Sequence, residues 1–204
     1  MKLNLPRLVV TAGLAAALAL PASAGTTTWQ IDPQHSSAQF GVTHLMISTV
    51  RGEFHGVKGT VILDGQDITK STVDVTIDAT SVDTREPDRD KHLKSPDFLD
   101  VAKYPAITFK STKVEQVSPG ELRVTGDLTI RGVTKQVVLS VDGPKAPIKD
   151  PWGLQRSAVS ATAKINRQDF GVSWNKTLDS GGVVVSDEVR ITLDVEMVIP
   201  PPSK

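Results

Sequence analysis

Val73, Val75, Ile77 and Ala79 alternate with Asp74, Thr76 and Asp78. A two-residue period of this kind gives a β-strand one dry face and one wet face. The alternation returns at Ile107 and Phe109, through Leu122, Val124, Leu128 and Ile130, and through Val137, Leu139 and Val141. It appears again at Val159, Ala161, Ala163 and Ile165, and from Val189 to Met197. With TTTWQI, an opening strand pair around SAQFGVTHLMISTVRGEF, and KGTVILDG, the pattern predicts eight to ten strands. One dry face per strand is the antiparallel habit. LDGQD, VSPGE, IRGVTK, VDGPKAP and LDSGG supply turn chemistry between them. Evenly spaced, alternating strands imply a closed barrel or a sandwich.

One stretch departs from this period. SVDTREPDRDKHLKSPDFLDVAKYP carries Pro87, Pro96 and Pro105, is dense in charge and does not alternate. EPDRDKHL has an acidic start and a basic end, which suits the dipole of a short helix. SPDFLD reads as a second, one-turn helix with Ser95 as N-cap and Pro96 at the first position. A helical insertion over about residues 85–100 is therefore expected between two strands. It would either cap a barrel end or lie on the surface as an excursion.

The N-terminus changes the picture of the mature chain. Lys2 and Arg7 precede the apolar run LVVTAGLAAALAL, and ASA ends at Ala24. This is the pattern of a cleaved secretory signal over residues 1–24, leaving a single domain over 25–204. Losing Lys2 and Arg7 reduces 23 basic residues to 21 against 23 acidic ones. A net charge near −2 does not draw nucleic acid or anionic lipid from a distance. The chain has no cysteine, so no disulfide framework exists, and its length suffices for a core without one.

His44 continues the inward register of Ala38, Phe40 and Val42. Such a histidine could meet a ligand's polar end or satisfy a loop backbone. A metal site fits poorly: His35 and His44 are nine residues apart on what reads as one strand, or about 30 Å at roughly 3.3 Å per residue. A G-x-S-x-G nucleophile elbow does not occur, and no cluster of acid–base partners suggests catalysis. A small barrel either fills its interior or holds one ligand, depending on the size of its inward side chains. Ala161, Ala163 and Gly126 are small enough to leave room, while the glycines could equally mark bulges and bends. Asn166, Arg167 and Asp169 stand at a strand end beside Phe170 and Trp174, either as a polar rim or as an ordinary Asx turn. Arg51 and Arg131 are further cationic candidates for a polar head group.

WQIDPQHSSAQFGVTHL, VRGEFHGVKGTVILD, HLKSPDFLDVAKYPAITFKST, GDLTIRGVTKQVVL and INRQDFGVSW together resemble the YceI-like family. The likeness runs from Trp29 to about Ile199, in one order and spacing. It implies an extended eight-stranded antiparallel lipocalin-like barrel with a helical insertion. It also implies non-covalent binding of a long apolar chain, a polyisoprenoid or an isoprenoid quinone, with fatty-acid-derived ligands in some relatives. A periplasmic or extracellular location and a homodimer follow from the same resemblance; no covalent cofactor, metal or nucleic acid does. The role would be sequestration, storage or transport. An enzyme acting on such a lipid, or a filled structural barrel, is the alternative.

On that reading the cavity lining is Phe40, Val42, His44, Phe54, Ile77, Leu93 and Phe98, continuing through Ile107, Phe109, Leu128 and Ile130 to Ala161, Ala163, Phe170 and Trp174. The head-group candidates are His44, Arg51, Asn166, Arg167 and Asp169.

Overall fold

The computed structural model describes residues 25–179 and 181–200. In chain order the strands are β1 (Thr26–Ile31), β2 (Ser37–His44), β3 (Ser48–Phe54), β4 (Lys58–Asp64) and β5 (Thr72–Asp78). Then follow helix α1 (Pro87–Lys94), β6 (Ala106–Ser118), β7 (Glu121–Ile130) and β8 (Val133–Asp142). The short β9 (Ile148–Lys149), β10 (Gln155–Asn166) and β11 (Val185–Val198) complete the series.

Eight strands close into a ring in the order β1, β4, β5, β6, β7, β8, β10, β11, and every pairing is antiparallel. Closure leaves no free edge in the ring, which removes the main aggregation hazard of a long sheet. β1 and β2 lie end to end along β11: Ile31 is opposite Met197 and Ser37 is opposite Asp194. The β2–β3 hairpin thus lengthens the wall past the end of β1. Its outer strand is held by reciprocal backbone bonds between Glu53 and Asp83, 2.9 Å each. The β7–β8 turn places Arg131 and Gly132 at φ 50° and 72°. Two positive φ values in sequence match the twist of a tight hairpin.

The helical insertion differs from expectation. α1 forms as predicted: Glu86 caps the Asp88 and Arg89 amides, Pro87 opens the first turn, and Lys91, His92 and Lys94 sit in the last. The second helix at SPDFLD does not form. Ser95 Oγ accepts the Asp97 amide, and the Ser95 carbonyl accepts the Phe98 and Asp100 amides. Asp100 then takes φ 49°, which ends the turn before a helix can propagate. The insertion folds over one end of the barrel. There the Arg131 guanidinium donates to Pro96 O at 2.8 Å and to Gly171 O, tying it to the segment after β10.

An ion network ties the β1–β2 turn to β10 and β11. Arg156 donates to Asp150 at 2.7 Å, to Asp32 at 2.8 Å and to Glu196. Burial would raise the Asp32 carboxyl, but hydrogen bonds from Arg156, His35 and the Gln34 amide outweigh it and hold the group at about 2. Asp32, His35 and Glu196 approach closely enough to suggest a metal site. Arg156 Nη1 already bonds both carboxylates, so a cation is in place.

Candidate functional site

Inside a well-packed small barrel the inward side chains are fully buried. Here many are not: Val73, Val75 and Ile77 on β5, Val137, Leu139 and Val141 on β8, and Ile191, Leu193 and Val195 on β11 all point inward yet remain half-buried. Their residual exposure is to a cavity of about 450 Å³. An apolar void of roughly 150 Å³ can hold a benzene ring, so this space is large enough for a substantial ligand. Its volume is within the usual range of small-molecule sites.

Gly52 and Gly126 do not create this space. A Cβ on Gly52 would come within 2.5 Å of Phe40 Cζ and 2.7 Å of Thr84 Cγ2, and one on Gly126 would overlap the Phe109 ring. The glycines let two aromatic rings lie flat against the wall, and both rings face the cavity. The expectation that Gly126 adds open volume is corrected accordingly: Phe109 occupies its place.

Of the residues expected to line the interior, Phe40, Val42, His44, Phe54 and Ile77 face the cavity from β2, β3 and β5. Leu93 and Phe98 face it from the insertion, and Ile107, Phe109, Leu128 and Ile130 from β6 and β7. Ala161, Phe170 and Trp174 complete this group. Ala163 lies two residues along β10 from Ala161 but does not reach the lining.

The polar expectations are redistributed. Arg51 is exposed on β3, outside the lining, because the alternation that turns Val50 inward turns its neighbour out. Asn166 and Asp169 are also exposed and outside it; Asn166 Oδ1 caps the Gln168 amide, as an Asx turn would. Arg167 does reach the cavity wall but is 5% exposed, and its donors are spent on structure. It donates to the carbonyls of Val172, Trp174, Ser186 and Val185 and to Asp187 Oδ1. Burial lowers its pKa, against the pull of Asp187. His44 remains: it is half-buried in the wall, and its ring has no hydrogen-bond partner among the described residues.

Arg89 and His92 were not among the expected site residues, yet both line the cavity. Their spacing with Leu93, at i, i+3 and i+4, puts all three on one face of α1, and this was the available signal. The charge of PDRDKHLK hides it, since a helix so polar reads as solvated throughout. Arg89 Nε donates to Thr84 Oγ1 at 2.8 Å and Nη2 to Thr84 O at 2.9 Å. Thr84 is itself fixed by Asp90, whose Oδ1 accepts from its amide and its hydroxyl. His92 Nε2 is 2.9 Å from Asp97, and the ring stands edge-on to both Phe98 and Trp174, at 4.9 and 5.1 Å between centroids.

The fold and its interior define a class: a closed antiparallel β-barrel with an apolar cavity and a polar cap over one end. The chain belongs to the YceI-like family, whose domain matches residues 29–197. A UPF0312 protein of Vibrio parahaemolyticus is 41% identical over 162 residues, covering 78% of this chain and 85% of that protein. The YceI protein of Campylobacter jejuni has a TM-score of 0.66 at 32% identity, covering 78% of this chain and 90% of that one. A polyisoprenoid-binding domain from Saccharophagus degradans has a TM-score of 0.59 at 16% identity, covering 84% of this chain and 98% of that one. At that identity the likeness is one of fold.

Proposed function

We propose that this protein binds a long isoprenoid-type chain, a polyisoprenoid or an isoprenoid quinone, in the barrel cavity, without altering it covalently. The observation that carries this reading is the interior itself: about 450 Å³ bounded almost wholly by aliphatic and aromatic side chains from all eight ring strands and the insertion. Each buried methylene gains about 0.8 kcal/mol, so an apolar chain is the ligand such walls reward. The binding named for the S. degradans domain supports the same class. The signal-like segment over residues 1–24 lies outside the described residues, and we propose a periplasmic carrier or store on its account.

The test is extraction. Protein made in its native host is purified without detergent, and bound molecules are identified by mass spectrometry of an organic extract. A stoichiometric isoprenoid lipid is expected. An extract free of lipid, together with no uptake of added isoprenoid quinone, would overturn the proposal.

A further inference from the structure

Among the described residues, seven that line the cavity carry hydrogen-bonding groups outside an indole: Gln39, His44, Ser71, Thr84, Arg89, His92 and Arg167. Most are already committed. Arg167 is spent as described, Ser71 Oγ accepts the Asp64 amide, and Thr84 bonds Asp90 and Arg89. Gln39 is exposed and donates to Ser37. Arg89 differs in carrying a permanent charge. No carboxylate lies within 4.0 Å of its guanidinium among the described residues, and Nη1 has no partner there.

We propose, resting on the chain-binding reading above, that Arg89 is the head-group contact and that the preferred ligand carries an anionic oxygen group, a phosphate or carboxylate, at the end of its apolar chain. Thr84 takes Nε–H and one Nη2–H. The edge formed by Nη1 and the second Nη2–H stays open, and two parallel donors are what a carboxylate or phosphate accepts. The Thr84–Asp90 bonds hold the fork before any ligand arrives, so little ordering cost remains at binding. A half-buried cation beside apolar walls, linked to the Asp90 carboxylate only through the Thr84 hydroxyl among the described residues, is relieved by a directly bound anion more than by a neutral carbonyl or alcohol. Leu93, on the same face of α1, meets the first part of the chain, and the rest runs down the barrel.

The experiment compares geranylgeranyl phosphate with geranylgeraniol, equal in chain and different in head group, by titration of delipidated full-length mature protein. The parent is expected to bind the phosphate at least about tenfold more tightly. Arg89→Gln should bring the two affinities to within about twofold, with circular dichroism reporting an intact barrel. Arg89→Lys, which keeps the charge and loses the fork, should give an intermediate ratio, and it carries the test if Arg89→Gln does not fold. Equal binding of both lipids by the parent, or a full phosphate preference in either variant, overturns the assignment of Arg89 and leaves chain binding standing. Binding of neither lipid by the parent would overturn the underlying reading as well.

Discussion

Phe40 lies over Gly52, its directly opposed partner across the β2–β3 ladder, and occupies the volume that a side chain on Gly52 would need. The pair keeps an aromatic ring flat in the cavity wall. Gly52→Ala must push that ring, or the buried Thr84, toward the interior. Overpacking of this kind costs about 1–3 kcal/mol, so a fall of several degrees in Tm is expected for a chain of this size. Ligand affinity should fall too. Gly41→Ala is the control, since its Cβ would meet only ordinary contacts at 3.4 Å and beyond. Thermal melts of the two variants decide the matter, and equal melting would refute the account of this pair.

Much of the barrel is legible in the sequence because a period of two is a strong signal wherever one face is dry. Val73–Ile77 on β5 and Val189–Met197 on β11 show this: each alternate apolar position faces the cavity. Two things are not legible. SPDFLD carries the cap chemistry of a helix, but the positive φ at Asp100 depends on where the insertion must rejoin the barrel. Two of the polar side chains that reach the cavity, Arg89 and His92, come from the charged helix α1, whose pattern reads as solvated throughout. INRQDF places Arg167 beside the cavity, but its acceptors among the described residues are the Val172 and Trp174 carbonyls after β10 and Val185, Ser186 and Asp187 at the start of β11, brought to it by tertiary folding.

The Asp32–Arg156 pair sets an acid limit on stability. The Asp32 carboxyl is held at about 2, below its ordinary 3.8. A depressed folded-state pKa adds stability that is complete above the unfolded value and is lost as pH falls through the folded one. The contribution is therefore constant from neutrality to about pH 4 and disappears between there and about pH 2. Asp32→Asn should melt below the parent at pH 7, and the gap should close over that interval. A gap that persists at pH 2 would show that the pair acts through packing instead.

Arg131 holds the insertion to the segment after β10, through Pro96 O and Gly171 O. Arg131→Asn removes both bonds while tolerating the positive φ at this turn. The loss at a solvent-exposed tie should be on the order of 1 kcal/mol. Hydrogen exchange is expected to quicken in residues 95–104 and 171–174, with faster ligand release and a nearly unchanged barrel. Unaltered exchange in both segments would mean the cap is held by its aromatic contacts alone.

Chain length should control affinity up to a limit. One isoprene unit of five carbons gains on the order of 4 kcal/mol gross at about 0.8 kcal/mol per methylene. Eight units would exceed the ceiling of roughly 18–21 kcal/mol found for real complexes. Affinity measured across a series of prenyl chains should rise steeply over the first few units and then level off. A flat series would show that the head group supplies the binding energy.

Ala161 and Thr162 are neighbours on β10 that face opposite ways: Ala161 is in the cavity wall and Thr162 is exposed outside. Placing a phenyl ring at each position adds the same group to the two sides of one wall. The direct test is the affinity of Ala161→Phe and Thr162→Phe for an isoprenoid quinone, measured beside their melting temperatures. If the chain lies in the barrel, Ala161→Phe keeps a parental Tm and loses at least about tenfold in affinity, roughly 1.4 kcal/mol, while Thr162→Phe binds as the parent does. Equal affinity in the two variants, or a loss confined to Thr162→Phe, would place the ligand outside the cavity and contradict the account.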